Sequence, residues 1–163
     1  KLSNALGLQT LRIWTLVDKN NKCRILQANF KPIVGKNIIS NHGHGSTNNL
    51  LAEIVLDKGT LKPAIKLTPH ASGIQTVPFH PATGIQFDGF HIPLWDEVYR
   101  LAQDAALKFL PLRLIGWDIA VTPNGPYIIE ANFFADPGSY FKNMDVMLSK
   151  LNDVTQNDTR SNN

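Results

Sequence analysis

Cysteine is almost missing from this sequence: Cys23 stands alone among 163 residues, which excludes an intrachain disulfide and suits a reducing compartment. No apolar run reaches the roughly 18 residues that a membrane-spanning helix needs, and no charged-then-apolar leader opens the chain. An excess of one charge is lacking too. Lys and Arg number 16 against 13 Asp and Glu, a net charge of +3 with the bases scattered, so nucleic-acid binding gains no special support. What is present is ordinary globular composition, 43% hydrophobic and 18% charged, in a length that allows one domain with a sizeable core. The expectation is a soluble, cytoplasmic protein. Sequence of folded character is already in progress at Lys1, which suggests a domain cut from a longer polypeptide.

Residues 10–17, TLRIWTLV, and 23–30, CRILQANF, are β-branched, aromatic and partly alternating, and the polar turn between them predicts a hairpin. Residues 35–49 are rich in Gly, Asn, Ser and His and predict a loop. LLAEIVL and LKPAIKL predict a second hairpin, with Pro63 confining its second strand to an edge or a strand start. Residues 68–93 carry Pro69, Pro78, Pro81 and Pro93 and are expected to be largely irregular. Val98, Leu101, Ala102, Ala105 and Phe109 then recur at helical spacing, with Asp96 and Glu97 suited to the positive helix start and Pro111 as a stop. The expected helix covers about residues 95–110. LRLIGWDIAV and YIIEAN flank Pro123–Pro126 as the clearest hairpin, residues 142–151 suggest a short helix, and 152–163 form a polar tail. The whole reads as one α+β domain over 1–151, mainly antiparallel sheet with one long helix.

That last hairpin carries the chemistry. On its first strand, Leu114, Gly116, Asp118 and Ala120 share one face and Ile115, Trp117, Ile119 and Val121 the other; on its second, Glu130 and Asn132 share a face. Gly116 and Ala120 flank the acid with small side chains, leaving room for a ligand. A two-residue Asn124–Gly125 loop would set Asp118 opposite Ala131 and send Glu130 to the other face. A longer loop or a bulge reverses that parity, and we expect Asp118 opposite Asn132 and Glu130 opposite Ala120. Opposed Cβ atoms lie about 5 Å apart, within reach of a shared magnesium at about 2.1 Å from each oxygen. Two carboxylates and an amide carbonyl are the hard oxygen donors that magnesium prefers. The plainer alternative is that these acids are solvated, or are partners of Arg113 and other bases.

Residues 116–138, GWDIAVTPNGPYIIEANFFADPG, resemble the metal hairpin of ATP-grasp enzymes, in which an Asp is followed by Glu-x-Asn and then Pro-Gly. Asp118, Glu130, Asn132, Pro137 and Gly138 match that pattern, although the stretch between Asn132 and Pro137 is longer than usual. TLRIWTL near the start, the Asn-and-Gly loop at Asn41 and HPATGIQFDGFHIPLWDEV at 80–98 resemble the sugar-transfer-associated ATP-grasp family in particular. The resemblance implies the C-terminal ATP-grasp subdomain, without the preceding lysine-bearing strands and glycine-rich lid. It further implies ATP and Mg2+ as cofactors and Asp118, Glu130 and Asn132 as metal ligands. Arg12 would be the catalytic contact to phosphate, and it would bind the nucleotide with Asn41, Gly43 and Gly45.

The implied reaction is ATP-dependent ligation of an unidentified carboxylate substrate through an acyl phosphate attacked by an amine, within cell-surface polysaccharide biosynthesis. A noncatalytic nucleotide-binding or scaffolding remnant, or a carbohydrate-binding module, are the rival readings. Arg12 read alone has a plainer alternative as a surface strand arginine. His42 and His44 form a His-x-His pair with no adjoining third zinc ligand. His80, Asp88 and His91 lie in the matching segment without an assigned role, Asp136 is a further acid near the proposed metal, and Trp14, Trp95 and Trp117 fall in periodic apolar patterns that predict packing.

Overall fold

A computed structural model describes residues 7–133, apart from 36, 39, 41–45 and 69–72, together with Ser149. Strands β1 (Thr10–Val17) and β2 (Cys23–Lys31) form the expected antiparallel hairpin. Asp18 turns the chain between them by accepting hydrogen bonds from the Asn20 and Lys22 amides. β3 (Ala52–Val55) pairs with β2, and the two-residue β4 (Thr60–Leu61) pairs with β3.

The second expected hairpin is divided. Pro63 cannot donate to a ladder, and beyond it β5 (Ala64–Leu67) leaves the main sheet to pair with β6 (Ile74–Val77) in a separate ribbon. β6 lies within the stretch expected to be irregular, fitting between Pro69 and Pro78.

Helix α1 (Trp95–Lys108) follows, with Asp96 and Glu97 in its first turn and Lys108 in its last, the arrangement that complements the helix dipole. Its buried side is Trp95, Val98, Ala102, Ala105 and Ala106. Leu101 is only half-buried and Phe109, just past the helix, is 43% exposed. β7 (Leu114–Thr122) and β8 (Gly125–Asn132) close the fold as the last hairpin.

The main sheet has the order β4-β3-β2-β1-β7-β8, and every neighbouring pair in it is antiparallel. The helix returns the chain from one edge so that β7 can lie against β1. One sheet face and α1 enclose the core, in which Ile13, Ile115, Trp117 and Ile119 are fully buried. Trp117 donates its indole N–H to the buried Thr15 hydroxyl at 2.8 Å, and Trp95 donates to the Leu56 carbonyl at 3.0 Å. Both tryptophans are packing residues, as their patterns predicted. Cys23, half-buried at the start of β2, has its thiol pushed up to about 11 by burial. No helix among the described residues is long and apolar enough to cross a membrane. The expected helix at 142–151, apart from Ser149, and the tail at 152–163 lie outside the described residues.

Candidate functional site

Directly opposed residues in an antiparallel sheet point to the same side. The pairings Glu53↔Asn29, Asn29↔Arg12, Arg12↔Asp118 and Asp118↔Glu130 therefore lay one polar row across β3, β2, β1, β7 and β8. This face is the one turned away from α1, since Leu11, Ile13, Trp117 and Ile119 of the alternate positions fill the core.

Asp118 gathers the charged hydrogen bonds of the row. Its Oδ1 accepts a hydrogen bond from Arg12 Nε at 2.7 Å and its Oδ2 one from Arg12 Nη2 at 3.0 Å, a bidentate pair. Lys31 Nζ donates to the same Oδ1 at 2.8 Å. The Lys31 stem starts at the end of β2, opposite Thr10, which in turn opposes Ala120, and its ammonium reaches past these small side chains to the acid. Lys31 and Asp118 are each only 8% exposed.

Burial alone would raise the Asp118 carboxyl, but the hydrogen bonds and charges of Arg12 and Lys31 outweigh it and hold the group below its ordinary value. For Lys31, loss of solvent is the largest influence and lowers the ammonium, while Asp118 opposes that shift. Both groups remain an ion pair with satisfied hydrogen bonds, the condition under which buried charge is tolerated.

The face of the acids is as expected, but the register differs by two positions. The turn is the two-residue Pro123–Asn124 loop, and Thr122↔Gly125 through Ile119↔Ile128 keep its odd sum. A bulge between Asp118 and Ile119 then restores the even sum, so Asp118 opposes Glu130 and Asn132 opposes Gly116. The expected pairs Asp118↔Asn132 and Glu130↔Ala120 do not form. The outcome brings the two acids closer together than expected and moves the Asn two positions along the strand.

Gly116 also serves a purpose other than ligand space. A Cβ there would stand 3.2 Å from Cζ2 of Trp14, so its missing side chain admits the Trp14 indole, which is 2% exposed with its N–H buried and unpartnered.

Glu130 is exposed at the open edge. Asn132 Nδ2 is shut off from solvent with no hydrogen-bond partner, a buried donor still lacking an acceptor. Two carboxylate groups and an amide on one face suit a divalent cation that keeps waters and phosphate oxygens as its other ligands. Among the described residues, no group of three His, Cys, Asp or Glu side chains could hold a metal by itself, so a cation at Asp118 and Glu130 would need Asn132 or phosphate oxygens as further ligands.

The alternative reading of Asp118 as a partner of bases is correct in the form found here, with Arg12 and Lys31 rather than Arg113. Arg113 donates instead to the Asp18 carbonyl at 2.6 Å. Arg12 lies mid-row, part-buried and paired with Asp118.

Asn41, Gly43, Gly45, His42, His44, Asp136, Pro137 and Gly138 lie outside the described residues. His80 is buried, accepts a hydrogen bond from the Ala82 amide on Nδ1, and is held below the usual histidine value by burial, against a smaller pull from the Ile33 backbone. Asp88 and His91 are exposed, and His91 bridges to Thr60 at the sheet's far end.

The model of the sugar-transfer-associated ATP-grasp family matches residues 1–156. The chain belongs to that family. An ATP-grasp chain of this kind is ligase-like in function, and members of the family generally use ATP and Mg2+. The described α+β fold, mainly antiparallel with a single helix, is that of a partial ATP-grasp unit. Comparisons with curated proteins and with solved structures find no match.

Lys31 is the residue that sequence reasoning missed. Its signal was available in the first hairpin: Lys31 has the parity of Asn29 and stands opposite Thr10, two residues from Arg12.

Proposed function

We propose that this chain provides the magnesium- and triphosphate-holding sheet of an ATP-dependent carboxylate ligase, acting in the cytoplasm in cell-surface polysaccharide biosynthesis. The reading is carried by one observation: Asp118 and Glu130 oppose each other on the face that also presents Arg12 and Lys31. Family membership supports the ligase class.

Asp118, Glu130 and Asn132 would hold magnesium, which when bound offsets negative charge on the phosphates. Arg12 keeps N–H donors beyond the two committed to Asp118, and its planar guanidinium suits γ-phosphoryl oxygens. Backbone amides at Asn41, Gly43 and Gly45 would add donors to the phosphates.

In the proposed reaction a substrate carboxylate oxygen attacks the γ-phosphorus, and the bond to the ADP oxygen breaks as an acyl phosphate forms. An amine nitrogen then attacks the acyl carbon, inorganic phosphate leaves with the electron pair, and the nitrogen loses its proton. The side chains of this sheet orient and stabilise charge, and none of them becomes covalently bonded.

The test is magnesium-dependent ATP binding to the chain by calorimetry. Binding is expected in the wild type and lost in both Asp118→Asn and Glu130→Gln. Undiminished binding in the two variants would contradict the assignment.

A further inference from the structure

We propose that Lys31 is a second phosphate-facing cation of this site, and that it competes with a divalent ion for Asp118 until a polyphosphate arrives to receive it. The inference rests on the nucleotide-holding reading given above.

Asp118 already accepts three charged hydrogen bonds, two from Arg12 and one from Lys31. A carboxylate offers about four lone-pair positions, so a divalent ion binding there meets two resident cations at close range. Repulsion between like charges in a partly buried site is worth several kcal/mol at about 4 Å and an effective dielectric constant near 20.

One resident must yield, and the geometry selects Lys31. Arg12 stands directly opposite Asp118 in the ladder and holds both oxygens through a matched fork. Lys31 reaches one oxygen through a single bond, from a flexible stem two strands away.

A displaced ammonium that stays buried needs another anion. Asp118 is the only carboxylate in an ion pair with Lys31 among the described residues, whereas triphosphate accompanying the metal supplies oxygens on the same side of the sheet. Metal alone is thus resisted and metal with polyphosphate accepted, a coupling that favours productive loading of the complex over occupation by free cation.

The experiment measures Mn2+ binding without nucleotide, from the loss of the free-Mn2+ electron paramagnetic resonance signal, and repeats it with the nonhydrolysable analogue AMP-PNP. The wild-type chain is compared with Lys31→Met, Lys31→Gln and Glu130→Gln. Removing the Lys31 charge is expected to tighten nucleotide-free Mn2+ binding about tenfold. The gain in Mn2+ affinity on adding AMP-PNP is expected to shrink by about tenfold or more.

If nucleotide-free Mn2+ affinity is unchanged or weaker in both Lys31 variants while Glu130→Gln abolishes it, the exchange is wrong and the metal site stands. If Glu130→Gln binds Mn2+ like wild type, the metal reading fails and the exchange fails with it. Should neither Lys31 variant fold, the wild-type Lys31 ammonium resonance decides: Mg2+ with AMP-PNP must move it, and an unmoved signal overturns the proposal.

Discussion

The two faces of the β1–β7–β8 region are built from alternate residues of the same strands, yet they obey different rules. Leu11, Ile13, Trp117 and Ile119 pack under α1, where stability comes from apolar area removed from water. Arg12 and Asp118, their immediate neighbours in sequence, meet on the other side as ions, where burial costs free energy that hydrogen bonding must offset. A strand whose alternate positions are charged and still largely buried is not assembled for stability alone. The proposed nucleotide-holding role of the charged side accounts for that contrast.

Breaking the apolar side is expected to have the largest effect. Trp117 is fully buried, and Trp117→Ala should cost about 3–5 kcal/mol in chemical denaturation. Glu130→Gln, at an exposed position of the charged side, should stay within about 0.5 kcal/mol of wild type in the same assay, although it is expected to lose ATP binding. Equal losses of stability in the two variants would erase the distinction between the faces.

Asp118 sharpens the comparison because it belongs to the charged side but is buried. Asp118→Asn leaves Arg12 and Lys31 without their counter-ion and should cost about 3 kcal/mol near neutral pH. The pH dependence has a definite sign. Asp118 holds its proton more weakly in the folded state, so its pairs stabilise fully above the ordinary carboxyl value of 3.8 and lose that contribution as pH falls through the lower folded value. Lys31, lowered from 10.5 chiefly by burial, adds stability with rising pH between its folded value and 10.5. Denaturation followed from about pH 2 to 6, roughly the range in which carboxyl groups titrate, should show the acid slope in wild type and a shallower one in Asp118→Asn.

A smaller loss than that of Asp118→Asn is expected where the two kinds of packing meet. Gly116→Ala drives a Cβ to 3.2 Å from the Trp14 ring and should cost about 1 kcal/mol, read from the denaturation midpoint. Unchanged stability would mean that the indole shifts freely.

Much of this arrangement was legible in particular residues. The alternation of TLRIWTLV and LIGWDIAV identified the strands and their apolar sides, and the spacing from Val98 to Ala105 located the helix, because periodicity reports burial directly. Pro63 was recognised as a constraint, but whether the chain turns into a second ribbon there depends on what β5 can pair with beyond it. β6 was hidden by the surrounding prolines, whose local signal is stronger than that of four exposed or half-buried strand residues. The bulge beside Asp118 changed the acid register by two, since loop length and bulge position compensate each other and the sequence fixes neither alone. Lys31 escaped notice because its partner lies 87 positions away, and Gly116 was read as ligand space because nothing local reveals that Trp14 fills it.

The most direct measurement is anomalous diffraction from crystals of the protein grown with Mn2+ and AMP-PNP. The account predicts a metal peak bounded by carboxylate oxygens of Asp118 and Glu130 on the side of the sheet away from α1. A bound nucleotide whose metal lies elsewhere, with Asp118 still held by both Arg12 and Lys31, would contradict it.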